Sequence, residues 1–421
     1  MENNRNWAGN YTYGTSEIVV AETVEQVQDW VARSERIKVL GTRHSFNGIA
    51  DSKDRFLSLQ KLNRLISLDR KNHRVTVEAG IRYGELSQYL HDHGYALHNM
   101  ASLPHITVAG AIATATHGSG DANRNLAAAV HALEVVQADG DIAVFSRDRG
   151  DGEFEGAVVG LGGLGVVTRI TLDVVPAFEM SQHVYENLPL AQLERNFDGI
   201  FSSAYSVSLF TDWKSSSFNQ VWIKRNTADP GFERLEPEFY TATAAAAPVH
   251  PVPGNPTENC TEQLGVPGPW HERLPHFRMH FTPSAGEELQ SEYFVQRQHA
   301  YEALCAIERL REAITPHLYV SEIRTIAEDD LWMSPCYKQA MVGIHFTWMK
   351  DWEAVRQVLP LIEKSLEPYR ARPHWGKLFT MEPARLQALY EKLPDFRQLL
   401  IRRDPEGKFR NAFLNEYIMG H

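Results

Sequence analysis

The pattern of apolar positions predicts a small mixed α+β fold for the first 180 residues. Val24, Val27 and Val31 lie on one face of a helix over residues 23–32, and Thr23, followed by Gln26, is typical of a capping box at its start. Similar patterns predict strands over residues 16–21, 37–40 and 74–80, a helix over residues 83–94, and a hairpin of residues 132–137 and 141–146.

Two strictly alternating strands stand out in the second half of the chain. A period of two places Glu322 and Arg324 on one face of residues 318–326. In residues 341–349 the apolar face consists of Val342, Ile344, Phe346 and Trp348, and the other face of Gly343, His345 and Thr347. We expect one face to be core and the other to carry chemistry; the alternative is a solvent-facing sheet with a surface salt bridge.

Between these halves lies a proline-rich stretch, with nine of the 21 prolines in residues 230–275. Long irregular segments are either lids and binding loops or wraps over a surface, and we expect a solvated wrap. Beyond it, a helical stripe is formed by Tyr301, Leu304, Ile307, Leu310 and Ile314.

Composition narrows the class of protein. A chain of 421 residues exceeds one core of roughly 250–300 residues, so two domains are expected. The net charge of −11, without a dense Lys/Arg block, argues against nucleic acid. No signal-like or membrane-length apolar run is present, which predicts a cytoplasmic protein with a small-molecule ligand and no membrane partner. Cys260, Cys305 and Cys336 are interpreted as packing residues, so no metal site is expected.

The glycine run GLGGLG at residues 160–165 matches the dinucleotide fingerprint letter for letter. That fingerprint needs a helix after the glycines, so that the helix N-terminus meets the pyrophosphate. Here an alternating β-branched run follows, which predicts a strand and argues against a Rossmann fold. Close approach of a phosphate or adenine to the glycine amides stays open as a weaker interpretation.

Three further candidates have an ordinary structural alternative. Residues 101–120 are nearly all small, which suits either backbone contact with a flat or charged cofactor or a tight helix–helix contact. His44 follows Arg43 in a loop after a predicted strand, where ligands tend to bind, although a capping role is the alternative. Lys377, in RPHWGK, follows a possible domain crossover, although a lone lysine is more often a solvated surface group.

Together, several segments resemble the vanillyl-alcohol-oxidase-type flavoproteins and, within them, the sugar-alcohol (alditol) oxidases. They occur in register over about 400 residues: GTRHSFNGIADS, NMASLPHITVAG, ATHGSG, GLGGLGVVT, SVSLFTDW, EIR, RPHWGK and DPEGKFRN. The resemblance implies a two-part FAD-binding domain of the PCMH/VAO type, made of residues 1–180 and a returning segment 376–421. Residues 181–375 are then an inserted cap domain built on an antiparallel sheet with flanking helices.

The resemblance also implies covalently bound FAD, with His44 attached to the 8α-methyl group of the flavin. A neutral imidazole is nucleophilic enough for such a bond. The cofactor-contacting positions are then Gly41, Thr42, Arg43, His44, Ser45, Phe46, Asn47, Ser102, Thr107, Gly110, Ala111, Ile112, Ala113, Val167 and Lys377.

The implied substrate is a polyol such as xylitol or sorbitol. Its binding positions are Ser102, Glu322, Arg324, His345, Thr347 and Lys377. Arg324 and Lys377 would stabilise the alkoxide and Glu322 would bind the next hydroxyls, with His345 also placed in the catalytic group. Hydride would pass from C1 to flavin N5, giving the aldose, and dioxygen would be reduced to hydrogen peroxide by an enzyme expected to be monomeric.

Two alternatives remain at this point. An aldonolactone oxidase or dehydrogenase would share the attachment histidine, the E-x-R pair and the HW-x-K ending. A flavin- or sugar-binding protein without turnover would leave the E-x-R, H-x-T and Lys377 side chains scattered in space.

Overall fold

A computed structural model describes residues 4–232, 236–278 and 286–420. In its N-terminal part the elements are, in chain order, β1 (Ile18–Val20), α1 (Val24–Arg33), β2 (Lys38–Val39), β3 (Phe56–Ser58), β4 (Leu65–Asp69), β5 (Arg74–Glu78), α2 (Tyr83–Asp92), β6 (Tyr95–Ala96), α3 (Val108–Ala113), β7 (Val130–Val136), β8 (Ile142–Ser146), α4 (Phe154–Val158), β9 (Val166–Asp173) and β10 (Val175–Pro176).

These elements form two main sheets, which confirms the α+β prediction. One is parallel, in the order β1-β3-β2, and the other is antiparallel, in the order β4-β5-β9-β7-β8. Helix α1 begins after Thr23, whose side chain accepts the N–H of Gln26; the Gln26 side chain accepts from Glu22 rather than completing the box on Thr23. Strand β9 directly follows the GLGGLG run, so these glycines do not open a helix and no Rossmann unit forms.

The middle of the chain forms the cap. Its elements are β11 (Glu179–Pro189), α5 (Leu193–Phe201), β12 (Ser206–Thr211), β13 (Ser217–Asn226), β14 (Glu238–Phe239), β15 (Ala242–Ala244), β16 (Gly268–Pro269), β17 (Glu288–Gln296), α6 (Ala300–Glu308), α7 (Arg311–Ile314), β18 (Leu318–Ile326), β19 (Met341–Met349), α8 (Trp352–Ser365) and β20 (Arg372–Pro373).

Within the described residues, one ten-stranded sheet organises the cap. Its order is β14-β15-β11-β13-β12-β18-β19-β17-β20, with β16 beside β11. The predicted apolar face of β19 is fully buried in a core that also contains residues of α5, α6 and α8. The stripe from Tyr301 to Ile314 is divided between α6 and α7, because the backbone leaves helical geometry at Leu310.

The C-terminal region packs onto the N-terminal sheets. It contains α9 (Pro383–Gln387), α10 (Leu393–Arg403) and a π-helical turn over Leu414–Met419. Phe396, Leu399 and Phe409 belong to the same hydrophobic core as β7 and β9. The Asn411 amide donates to the carbonyls of Gly48, Ile49 and Asp51, which fixes the loop after β2.

The proline-rich segment is a solvated wrap only in part: most described residues before position 260 are exposed or half-buried, whereas its end, residues 260–275, packs against the protein. Cys260 and Trp270 are buried within it. The fully buried Lys224 of β13 fixes the C-terminal end of this segment. Its ammonium group donates to three consecutive carbonyls, those of Arg273, Leu274 and Pro275. Three strong hydrogen bonds to one ammonium group offset the cost of burying it. The result is an ordered wall beside the sheet.

Two further observations concern the cysteines and the helices. The cysteines Cys260, Cys305 and Cys336 are unbridged. In the described part of the chain, every helix is too short or too polar to cross a bilayer.

Candidate active site

A cavity of about 1240 Å³ lies between the N-terminal elements and the cap sheet. One side, here called the loop wall, is formed by residues 38–46 and 101–114. The opposite side carries charged side chains from three neighbouring strands of the cap. The cavity therefore brings together two groups of predicted site residues that are distant in sequence.

The loop that carries His44 is held from outside by the N-terminal segment. Asn6 donates its side-chain N–H to Ser45 O at 2.9 Å, and Trp7 N donates to Arg43 O at 2.8 Å. Arg43 has a φ of 62°, a left-handed conformation that costs energy in a residue other than glycine. The contacts with the N-terminal segment compensate for this strain and fix the direction of the next residue, His44.

The imidazole of His44 lies between two aromatic rings. Trp7 stacks on it at 4.6 Å with an interplanar angle of 27°, and His105 Nε2 lies 2.9 Å from His44 Nε2. Burial, together with His105, lowers the pKa of His44 to about 3. His44 is therefore a neutral imidazole at physiological pH, the state that a nitrogen nucleophile requires.

The small residues of the loop wall leave its surface close to the backbone. Thr107 caps α3, and Ala109, Gly110 and Ala113 line the cavity. A Cβ on Gly110 would lie 2.9 Å from Thr107 Oγ1, so a larger residue would disturb the cap. This wall faces the cavity rather than another helix, which favours the cofactor interpretation of residues 101–120.

Two predicted cofactor contacts are not found at the cavity. The side chain of Ile112 is buried in the hydrophobic core, because successive helical residues point in different directions and Ile112 is on the inner face of α3. Asn47 instead donates its side-chain N–H to the carbonyls of Trp375 and Lys377, at 2.9 and 2.8 Å. Asn47 therefore joins the His44 loop to the segment that carries Lys377.

The remaining predicted residues line the cavity. They are Gly41, Thr42, Arg43, His44, Ser45, Phe46, Ser102, Thr107, Gly110, Ala111, Ala113, Val167, Glu322, Arg324, His345, Thr347 and Lys377.

The loop wall fits a large flat cofactor that carries phosphates. Among the described residues, no acceptor is found for the backbone N–H groups of Gly41, Thr42, His44 and Ser45, all in the lining. Backbone donors of this kind bind diphosphate oxygens, and small residues let a ring system approach the chain. Leu161 and Gly162 of the GLGGLG run also line the cavity, as the weaker interpretation of that run anticipated.

On the opposite side of the cavity, the register of the cap strands brings the charged side chains together. Pairing within the cap sheet aligns Glu292 of β17 with His345 of β19, and His345 with Glu322 of β18. Arg324, two residues after Glu322, falls on the same face. We call Glu292, Glu322, Arg324, His345 and Lys377 the ionic cluster.

Contacts within the ionic cluster are short. The carboxylate of Glu292 accepts from Arg324 Nη2 at 2.7 Å and from Lys377 Nζ at 2.6 Å, one oxygen for each cation. Lys377 Nζ also donates to His345 Nδ1 at 2.8 Å, and His345 Nε2 in turn lies 3.1 Å from Thr347 Oγ1. The Lys377 side chain is mostly buried, which argues against the alternative of a solvated surface lysine.

Burial and neighbouring charges set the protonation states. Burial, reinforced by Lys377, lowers the pKa of His345 well below its ordinary value, so this ring is neutral. Burial alone would raise the pKa of Glu292, but Lys377, Arg324 and His117 outweigh it and lower that pKa. The pKa of Glu322 is lowered too, since Arg324 and His276 outweigh burial. Both carboxyl groups are ionised.

Sequence reasoning missed three side chains around this cluster. Glu292 has no exposed surface, His117 Nε2 lies 3.2 Å from Glu292 Oε1, and His276 Nε2 donates to Glu322 Oε1 at 2.9 Å. Burial lowers the pKa of His276 to about 4, so it binds Glu322 as a neutral donor. Alternation along residues 288–296 could have marked Glu292, but its partners depend on strand register.

Two family models match the chain, one in its N-terminal region and one in its C-terminal half. The family model described as "FAD binding domain" matches residues 15–146, and the one described as "D-arabinono-1,4-lactone oxidase" matches residues 281–417. The first match contains the His44 loop and the small-residue wall. The second contains all members of the ionic cluster.

Relatives cover the whole length. The chain is 49% identical over 418 residues to an alditol oxidase of a Streptomyces species, covering 99% of each chain. It is 27% identical to an L-gulono-1,4-lactone dehydrogenase of Mycobacterium tuberculosis, covering 98% of this chain and 97% of the relative.

Solved structures give the same architecture. The cholesterol oxidase from B. sterolicum superposes with a TM-score of 0.77 at 14% identity, covering 98% of this chain and 96% of that one. A solvent-stable cholesterol oxidase gives a TM-score of 0.79 at 16% identity with the same coverage. Identities this low show the fold alone, whereas the full-length identity of 49% shows the family. This chain therefore belongs to the vanillyl-alcohol-oxidase-type FAD flavoproteins and is close to the alditol oxidases.

Proposed function

We propose that this protein oxidises the terminal hydroxyl of alditols such as xylitol or sorbitol to the aldehyde, with FAD as cofactor and dioxygen as the final acceptor. The observation that carries the proposal is the convergence of the loop wall and the ionic cluster on one cavity. Similarity to an alditol oxidase along the whole chain supports the same substrate class. A monomeric state and a cytoplasmic location stay predictions.

FAD would be held by the backbone N–H groups of Gly41, Thr42, His44 and Ser45 and by the small residues of α3. When bound, it supplies the hydride acceptor, and its reoxidation by dioxygen gives hydrogen peroxide. His44 is the residue that would hold the flavin covalently, since its imidazole is neutral and fixed by Trp7 and His105. The strained Arg43 aims this ring into the cavity.

The ionic cluster would bind and orient the polyol. Arg324 and Lys377 place two positive charges where the reacting hydroxyl loses its proton, and fixed charges are most effective in a site partly closed to water. Glu322 accepts hydrogen bonds from further hydroxyls, while His276 holds that carboxylate in place. Thr347 and Ser102 line the same cavity and offer hydroxyl groups to the polyol.

A lactone-oxidising activity is the second candidate. It is favoured by the family model over residues 281–417 and by the gulonolactone dehydrogenase relative. The third alternative, a binding protein without turnover, expects scattered charges, and the structure instead shows them in direct contact.

Peroxide production separates the two catalytic candidates. The purified flavoprotein is supplied in parallel with xylitol, sorbitol, L-gulono-1,4-lactone and L-galactono-1,4-lactone. We expect peroxide with the alditols and little with the lactones. The reverse preference would assign the protein to lactone oxidation, and no peroxide with any of them would refute oxidase activity.

A further inference from the structure

Glu292 contacts more members of the ionic cluster than any other member does. Its side chain is fully buried, and its two oxygens are divided between Arg324 and Lys377. Removing one member of a buried charge group leaves its partners uncompensated. Each cation therefore depends on Glu292 for its position, and Lys377 depends on it for its charge as well.

The space for Glu292 is provided by Gly343 on the neighbouring strand. A Cβ at position 343 would lie 3.1 Å from Glu292 Oε1. Gly343 pairs with Arg324 on one side and with Phe294 on the other, so it lies at the point where the carboxylate and the guanidinium meet. The missing side chain leaves the Glu292–Arg324 contact open.

Charges around Glu292 cancel. Within the ionic cluster the ionised groups are Glu292, Glu322, Arg324 and Lys377, two of each sign. Lys224, whose pKa burial lowers to about 7, lies outside the cluster and interacts with Glu322. The facing imidazoles come from other elements: His117 from the loop after α3, His345 from β19 and His374 from the segment after β20; burial is the main cause that lowers the pKa of each. Cys336 also faces Glu292, and burial raises the pKa of its thiol, so it too is uncharged.

We propose that Glu292 is the counter-ion that positions Arg324 and Lys377 and keeps the ionic cluster neutral overall, so that the site selects uncharged polyols over sugars that carry a carboxylate. This inference rests on the proposed alditol oxidation. A polyol enters a neutral site without bringing a charge that needs a partner, whereas an aldonate brings a carboxylate that finds both cations already paired.

Activity should depend on pH through Lys377. Burial lowers the pKa of Lys377 and Glu292 opposes that shift. Within the ionic cluster, Lys377 is the group expected to lose its proton as pH rises above neutral, since Arg324 keeps its charge and His345 is already neutral. Lys224 also titrates near neutral pH, but it interacts with Glu322 and leaves the Glu292 dependence to Lys377. Without the Glu292 charge the pKa of Lys377 falls further, and the alkaline limb of activity moves to lower pH.

The test compares Glu292→Gln and Glu292→Asp with the parent flavoprotein. Glu302→Gln, an exposed residue of α6, is the control for loss of one negative charge from the cap. In Glu292→Gln we expect kcat/KM for xylitol to fall at least about tenfold and its alkaline limb to move down by about one pH unit. Glu292→Asp keeps the charge, so its alkaline limb should stay near that of the parent, but its shorter side chain cannot reach both cations and its rate should fall. Glu302→Gln should match the parent.

A binding readout does not require turnover. Sodium xylonate is titrated into each oxidised flavoprotein and followed by the change in flavin absorbance. Glu292→Gln should bind xylonate at least about tenfold more tightly than the parent, because its cations gain a new carboxylate partner. An unchanged alkaline limb together with unchanged xylonate affinity would overturn the proposal. If Glu292→Gln does not fold, parent-like xylitol kinetics in Glu292→Asp would overturn it instead.

A parent protein whose flavin is not reduced by xylitol would refute the proposed alditol oxidation. The xylonate titration would still decide whether Glu292 neutralises the two cations.

Discussion

The two sides of the cavity are built in opposite ways. The loop wall comes from two continuous stretches, residues 38–46 and 101–114, and offers mainly backbone groups and small side chains. The ionic cluster comes from four separate segments and consists of four charged side chains and the neutral His345, which contact one another. A large cofactor needs many weak contacts over a long surface, whereas a reacting hydroxyl needs a few charges at fixed positions. Changes on the two sides should therefore have separable effects.

His44→Ala should give the clearest separation between effects on the cofactor side and effects on the substrate side. Covalent attachment should be lost completely, while some flavin still binds through the backbone donors of the loop wall. Flavin that stays with the protein after acid precipitation measures attachment. Lys377→Met, on the other side of the cavity, is the control and should keep its acid-stable flavin. Acid-stable flavin in His44→Ala would assign the bond to another residue.

Lys377→Met should act on the reaction instead. Removing one oriented charge that stabilises the transition state costs about 2.7–4 kcal/mol in comparable sites, or roughly a hundred- to a thousandfold in rate. Arg324 retains its charge, so we expect a fall of at least about tenfold in flavin reduction by xylitol. Stopped-flow mixing without oxygen measures this rate. A rate within about twofold of the parent would remove Lys377 from the chemistry.

Glu322→Gln should weaken polyol binding with little effect on flavin content. A hydrogen bond to a charged group contributes about 1.5–3 kcal/mol, so affinity should fall roughly ten- to a hundredfold. The dependence of the reduction rate on xylitol concentration gives this affinity, and the absorbance ratio of flavin to protein gives the content. Parent-like KM and kcat would show that Glu322 does not contact the polyol.

The smallest expected effect is that of pH on the covalent attachment of FAD, whose rate should hardly change. Because the pKa of His44 is lowered to about 3, the imidazole stays neutral as pH falls through the range where a free histidine becomes charged. Covalent incorporation of FAD into apo-protein should therefore proceed at similar rates between about pH 5 and pH 8. A steep decline below about pH 6.5 would show that His44 has an ordinary pKa.

Local sequence patterns predicted helices and strands but not which strands lie next to one another. The cap at Thr23, the hairpin of β7 and β8, the strand after the glycines and the two faces of β19 were all predictable, because each depends on residues close in sequence. The short-range pattern also separated His345 from its apolar neighbours. It could not show that His345 lies beside both Glu292 and Glu322, which depends on strand order.

Features that the local pattern could not predict have the same origin. Lys377 was placed at the site by the resemblance alone, because its own sequence is surface-like and its partner Glu292 lies 85 positions away. The proline-rich segment is ordered by Lys224, a residue outside it. Ile112 and Asn47 belong to matching segments, yet one faces the core and the other the Lys377 segment. Segment matches show which stretch approaches a ligand, whereas side-chain direction depends on packing.

The decisive measurement is the reduction of the protein-bound flavin by xylitol in the absence of oxygen. If the loop wall and the ionic cluster serve one reaction, two results follow. Xylitol alone bleaches the long-wavelength flavin absorbance completely, and readmitted oxygen restores that absorbance with formation of one equivalent of peroxide. We expect both. Flavin that stays oxidised with xylitol but is bleached by a gulono- or galactonolactone would contradict the alditol assignment.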